Sequence, residues 1–182
     1  MQEFKEDIQE SIIISEPIKY LFCYGSNNLR QISERIENKP LVYSNAYIEN
    51  YTRIFAGTSK RWNGGIVGLH PSTNSKTYGI LIQLTETDLL KLDEFEKGYE
   101  RIKMRVHNQI SDKLTELVES DVYYKENLTF QYLPSNDYLM AIYTMLQERI
   151  GNHKENIIIR GLVNGEIKEI GLWNRNYGIK LY

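Results

Sequence analysis

A single cysteine, Cys23, stands in a chain of 182 residues. That count excludes an internal disulfide and a multi-cysteine metal site. The thiol sits in the apolar run over 20–23, where it reads as buried and inert. A nucleophilic cysteine needs a lowered pKa, and an apolar strand provides the opposite. A dominant charge is missing too. The 22 basic and 24 acidic residues leave a formal net charge of −2, without the basic footprint of a nucleic-acid partner. No apolar run approaches the ~20 residues of a membrane-spanning helix. The charged N-terminus has no signal-peptide core. The expectations are therefore no nucleic acid, no membrane, and an intracellular, cytoplasmic protein. His70, His107 and His153 are scattered and read as surface or loop residues, so they form no His/Cys metal cluster. A G-x-S-x-G nucleophile elbow and a Walker loop are also lacking.

The rest of the composition is that of a globular chain. Hydrophobic residues at 41% and charged residues at 25%, over this length, suit one domain with one sizeable core. Fourteen tyrosines are an excess that either lines a pocket or reflects compositional bias.

The stretch Tyr20-Leu21-Phe22-Cys23-Tyr24-Gly25-Ser26-Asn27-Asn28-Leu29 organises the rest. Its apolar, aromatic start reads as a buried strand. Gly25-Ser26-Asn27 breaks it: glycine adopts backbone angles other residues avoid, and Ser and Asn side chains bond nearby backbone groups. Leu29, Ile32 and Ile36 then recur at helical spacing, giving a helix over about 28–37 that ends before Pro40. The first N–H groups of such a helix have no partner within it and carry the positive end of its dipole. Two readings of this turn are open. It is a cradle for a carboxylate or a developing oxyanion, or it is an ordinary strand-to-helix turn with a Ser or Asn cap, the commoner outcome for these residues alone.

Residues 1–18 read as an N-terminal extension, with a short apolar run at Ile12 to Ile14 closed by Pro17. Residues 41–56 alternate loosely, as one long strand or two short ones. A polar loop is expected at 57–65, then strands at 66–69 and 77–84 joined by a Pro-Ser-Thr-Asn-Ser loop. Thr85 caps a short helix, with Asp88 in a capping-box relation and Leu89, Leu92 and Phe95 as its apolar stripe. Strands follow at 99–107 and 114–124. Ser135 opens a helix carrying Leu139, Ile142, Tyr143, Leu146 and Ile150, ended by Gly151-Asn152. In the tail, Asn164-Gly165 between two apolar runs signals a hairpin. The sum is an α+β fold, a mixed strand-rich sheet curled into a small barrel with about three helices.

Glu96 is the second feature of interest. Leu89, Leu92 and Glu96 fall at i, i+3 and i+7, so on a continuing helix Glu96 shares the buried face. Burial and the helix C-terminus both disfavour the anion, raising its pKa toward that of a useful base. The alternative is that the helix ends before Glu96, which then projects into water.

Tyr24-Gly25-Ser26-Asn27, Trp62-Asn63-Gly64-Gly65, Thr77-Tyr78-Gly79-Ile80, Leu92-Asp93-Glu94-Phe95-Glu96 and Tyr99, in that order over residues 19–150, resemble the γ-glutamylcyclotransferase (AIG2-like) family. The resemblance implies a domain over 19–150; the tail over 151–182 lies outside it and reads as a C-terminal extension whose apolar strands and Trp173 pack on the core, close the site as a lid or meet another subunit. It implies cyclisation of a γ-glutamyl amide to 5-oxoproline with release of an amine, as in glutathione metabolism. It assigns substrate binding to Tyr24, Gly25, Ser26, Asn27 and Tyr99, and acid/base catalysis to Glu96, without metal or cofactor, in a monomer or homodimer. The family usually has Gly directly after that Glu. Here Lys97 precedes Gly98 and the loop to Tyr99 is shorter, which bears on the substrate. Three functions are open: a cyclotransferase on γ-glutamyl amino acids, the same chemistry on a γ-glutamylamine or a γ-glutamyl-tailored metabolite, and a non-catalytic module binding a small acid or a partner.

Overall fold

Three consecutive residues of the first strand, β1 (Lys19–Cys23), are buried on both faces, so β1 must be covered on each side. Phe22 joins one apolar cluster with Ile48, Phe55, Leu81 and Val122, while its neighbours Leu21 and Cys23 join another with Ile32, Ile80, Leu89 and Leu92. This is the two-residue period of a strand between two packed layers. The computed structural model describes residues 16–125, 129–149 and 156–182. The expected features at Ile12 to Ile14, Ile150, Gly151-Asn152 and His153 fall outside them.

Five strands close into a barrel in the order β1-β3-β2-β4-β5, with β2 at Tyr43–Ser59, β3 at Gly64–Leu84, β4 at Glu100–Gln109 and β5 at Thr115–Tyr124. The ladders are antiparallel except at the seam, where β5 meets β1 in parallel with Leu21 opposite Asp121. The expected α+β barrel is what the chain forms. Among the described residues there are three helices, α1 (Leu29–Arg35), α2 (Glu86–Asp93) and α3 (Asn136–Gln147). Each starts on a side-chain cap: Asn28, then Thr85 in a full capping box with Asp88, then Ser135.

Two expected loops are absorbed into strands. β2 and β3 run unbroken for 17 and 21 residues. The polar segment 57–65 shrinks to a turn in which Asn63 takes φ 53°. The Pro-Ser-Thr-Asn-Ser segment is a bulge within β3. Glu49 pairs with Lys76 and Tyr51 with Pro71, leaving 72–75 opposite Asn50 alone. The Ser72 and Ser75 hydroxyls, 2.7 Å apart, and the Asn74 N–H bonded to the Asn50 side chain at 3.2 Å hold the arch. Turn-forming residues here interrupt pairing without reversing the chain. His70 and His107, expected in loops or on the surface, lie in β3 and β4, and His107 stacks on Tyr47 at 4.7 Å.

The tail forms a separate antiparallel sheet, β6 (Asn156–Val163), β7 (Glu166–Asn174) and β8 (Gly178–Leu181). The Asn164-Gly165 turn takes φ values of 53° and 77°, both left-handed, as a two-residue hairpin demands. β8 is four residues long, too short to show a period in sequence. Ile157, Ile159 and Trp173 complete the cluster that α3 shares with the barrel. Trp173 is fully buried and its indole N–H donates to Asn136 Oδ1 at 2.8 Å.

Trp173→Ala is expected to lower unfolding stability by about 3–5 kcal/mol, the cost of emptying a large aromatic site. Urea titration of the variant against wild type measures it; an unchanged midpoint means the tail sheet does not contribute to the core.

Candidate active site

The turn after β1 is built by close approach. A Cβ on Gly25 would lie 2.5 Å from Val67 Cγ1 on β3. Gly25 is not among the residues at positive φ, so it is required by space and not, as expected, by backbone angle. Tyr24, just before it, is buried and donates its hydroxyl to the Tyr123 carbonyl. The Tyr24 carbonyl accepts from Arg53 Nε at 2.8 Å.

α2 ends at Asp93, so Glu96 is not on the helix as the spacing expected. Nor does it reach open water. The Phe95 N–H donates to Leu92 O at 2.9 Å and the Glu96 N–H to Asp93 O at 3.2 Å, so tight turns carry on past the helix. They leave the Glu96 side chain only 13% exposed. Phe95, expected in the buried stripe, is half exposed, with the Arg35 guanidinium 4.7 Å from its ring centre. Asp93 is pinned by Arg101, whose Nε and Nη2 donate to its two oxygens at 2.9 and 3.1 Å, and by the Tyr123 hydroxyl at 2.9 Å. After Glu96 the chain reverses at once. The Tyr99 N–H donates to Glu96 O at 3.1 Å, and Gly98 occupies φ 90°. That left-handed position is where the Lys97 insertion places the glycine.

The two segments meet through one short bond. Asn27 Nδ2 donates to Glu96 Oε1 at 2.6 Å. Arg35 Nη1, from the end of α1, lies 3.6 Å from the same oxygen. Gln31, one turn back on α1, satisfies its neighbours with its amide rotated by half a turn: the nitrogen then donates to Ser26 O at 3.3 Å and Asn27 Oδ1 at 3.0 Å, and the oxygen accepts from Arg35 Nη2 at 3.2 Å. Burial pushes the Glu96 carboxyl up from its ordinary value, opposed by the Asn27 hydrogen bond and the Arg35 and Arg61 charges.

These groups border a cavity of about 350 Å³ that all six expected site residues line: Tyr24, Gly25, Ser26, Asn27, Glu96 and Tyr99. The Tyr99 hydroxyl donates to Val67 O at 2.6 Å and the Tyr138 hydroxyl accepts from the Val67 N–H at 2.8 Å, fixing both rings against β3. Burial raises the pKa of Tyr24, Tyr99 and Tyr138, so all three stay protonated. The Cys23 thiol, also on the wall, is pushed well up by burial and by the nearby Glu96 and Glu148 charges, against a nucleophilic role. Sequence reading missed Arg35, Gln31 and Tyr138. The i, i+4 spacing of Gln31 and Arg35 was a signal that one face of α1 looks back at the turn.

The helix-end cradle is not free. The Leu29 N–H is taken by the Glu148 carboxylate, 3.0 Å from both oxygens, and the Gln31 N–H by Asn28 Oδ1 at 3.0 Å. Glu148 and the Asn28 cap thus satisfy the start of α1, and only the turn residues Gly25, Ser26 and Asn27 line the cavity.

Against known proteins, the model of the family described as "Gamma-glutamyl cyclotransferase, AIG2-like" matches residues 21–140, well over half of the chain. A solved structure titled "Gamma-glutamyl cyclotransferase" is 22% identical, with TM-score 0.64 over 74% of this chain and 82% of that one. An uncharacterized protein from Homo sapiens is 24% identical, with TM-score 0.64 over 75% of this chain and 82% of that one. YkqA from Bacillus subtilis is 17% identical, with TM-score 0.57 over 72% of this chain and 49% of that one. At these identities the likeness is one of fold. No curated protein matches the chain.

Burial pushes Glu148 up to about 7, above the ~4.3 of a carboxylate in an unfolded chain. The native state therefore holds this proton more tightly than the unfolded one. The stability it contributes is present below about pH 4 and lost as pH rises through about 7. Glu96 shifts in the same direction. The unfolding temperature of wild type is expected to fall between about pH 5 and pH 8, and Glu148→Gln to flatten that fall. Thermal melts across this range decide it; an equal slope in the variant removes Glu148 as the cause.

Proposed function

The chain belongs to the gamma-glutamyl cyclotransferase, AIG2-like family, and from that premise we propose that it cyclises a γ-glutamyl amide to 5-oxoproline, with Glu96 as general acid and base. The observation that carries this reading is the 2.6 Å bond from Asn27 to Glu96, which joins residues 69 positions apart at the wall of one cavity.

The substrate brings its own nucleophile. Its α-amine attacks the γ-carbonyl carbon, a five-membered lactam closes, and the C–N bond to the leaving amine breaks. Because the attack is intramolecular, holding the chain in a closed conformation supplies much of the rate. Glu96 takes a proton from the α-ammonium and passes one to the departing nitrogen; the second proton shed as the lactam N–H forms ends on the released amine, which leaves as an ammonium, so Glu96 ends as it began. Its raised pKa makes it a stronger proton acceptor than an exposed carboxylate, and Asn27 and Arg35 oppose the shift by favouring the charged form. The backbone N–H groups of Gly25, Ser26 and Asn27 hold the α-carboxylate or the oxyanion. The rings of Tyr24 and Tyr99 shape the walls, their hydroxyls already committed to protein carbonyls.

Arg61 and Lys97 line the same cavity, and among the described residues Glu94 is the one further acid beside them. That balance favours a leaving group bearing a carboxylate, an amino acid, over a neutral γ-glutamylamine product.

Glu96→Gln keeps the shape and the Asn27 contact but cannot exchange protons. It is expected to fold as wild type and to release 5-oxoproline ~10²-fold more slowly or worse, across a panel of γ-glutamyl amino acids and amines. Wild type inactive on the whole panel points instead to a binding module on this fold. Equal rates for the two proteins remove Glu96 from the chemistry.

Asn27→Ala deletes a hydrogen bond that lowers the Glu96 pKa. A base must be deprotonated to act, so the acid limb of kcat/KM against pH is expected to move to higher pH. A limb that stays in place shows that Glu96 is not the group titrating.

A further inference from the structure

Away from this site, a second cavity of about 200 Å³ opens between β2, β3, the end of α3 and β6. Four cations line it, Arg53, Lys76, Arg149 and Arg160, and among the described residues no carboxylate does. Arg149 is 3% exposed. Its Nη1 donates to Ala46 O at 2.7 Å and Gly79 O at 2.8 Å, and its Nη2 to Gln109 Oε1 at 3.0 Å. Its plane lies 4.7 Å from the Tyr78 ring centre, and its Nε is buried with no hydrogen-bond partner. Arg53 donates to Tyr24 O at 2.8 Å and Tyr78 O at 3.1 Å. Burial, joined by the positive charges of Arg160 and Arg149, pulls it down to about 10.

Every partner of Arg53 and Arg149 named above is neutral: carbonyls, an amide and a ring face. Such partners satisfy donors but leave the charge uncompensated, and a buried charge without a counter-charge is costly. Lys76 stands over the Tyr47 ring at 4.7 Å, and Arg160 has a loose ion pair with Glu169 at 3.4 Å. If the two arginines served only to tie strand carbonyls together, nothing would require Lys76 and Arg160 to converge on the same small space.

We propose that this cavity binds a small multivalent oxyanion, its charge shared by Arg53, Lys76, Arg149 and Arg160. The volume suits a phosphate or a short dicarboxylate. Arg53 links the bound anion to the carbonyl of Tyr24, the residue that precedes the catalytic turn.

The test uses inorganic phosphate and succinate as probes, against potassium chloride at matched ionic strength. At least one probe is expected to raise the unfolding temperature of wild type by about 3 °C or more over chloride, and the larger rise identifies the preferred chemistry. Arg53 and Arg149 also support strands, so the diagnostic variant is Lys76→Gln with Arg160→Gln. It is expected to melt as wild type in chloride and to bind the probe tenfold more weakly or worse by calorimetry. Arg61→Gln, in the other cavity, is expected to keep the whole effect. No rise beyond chloride with either probe, an undiminished rise in the Lys76/Arg160 variant, or loss of the rise in Arg61→Gln would each overturn the proposal.

Discussion

A carboxylate kept largely out of water needs donors, and those available to Glu96 fix much of the surrounding architecture. Asn27 reaches it from the turn after β1 and Arg35 from the far end of α1. Neither can do so unless α1 lies against the end of α2, and that depends on Asp93 being held by Arg101 and Tyr123. The ion pairs around Arg101 therefore serve the site at one remove. They fix the last residue of a short helix, and two tight turns then deliver the acid.

Backbone approach supplies the second constraint. A side chain on Gly25 would strike Val67, on Gly79 the Cys23 carbonyl, and on Gly64 or Gly65 the carbonyls of Leu133 and Tyr132. These glycines occur in the motifs that carry the family resemblance, and they share one physical purpose. They let β3 sit tightly against β1 on one side and against the segment leading into α3 on the other. Tyr138 can then reach the Val67 N–H, and Val67 becomes the fixed wall of the cavity.

Much of this was legible in the chain because it is local. Thr85 with Asp88, Ser135, Asn164-Gly165 and the alternation of β4 are signals that neighbouring residues settle among themselves. The bulge at 72–75 was visible as turn chemistry, but pairing partners decide whether such a segment reverses a chain, and those partners are distant. Glu96 is withdrawn from water, but not by way of the helix face that its spacing suggested. The helix stops short of it, and burial comes from non-local contacts that spacing cannot encode. Sequence left two readings open for the start of α1, and the choice between them is non-local too: its first N–H goes to Glu148, 119 positions away. Arg35 carried only the faint signal of its i, i+4 spacing from Gln31, and Tyr138 acts across the fold with nothing adjacent in sequence to mark it.

The parallel seam has a kinetic meaning. Leu21 and Asp121 can pair only after a hundred residues of intervening chain have been brought round, whereas β2 with β3 and β4 with β5 zip between near neighbours. Loop-closure entropy makes such a contact slow and late. Asn27 and Glu96 are brought together instead by the pairing of β1 with β3, Lys19 opposite Leu84, so a partly folded chain can hold both long hairpins before these two side chains meet. The candidate site therefore exists only once the N-terminal strand has docked on the hairpin of β2 and β3.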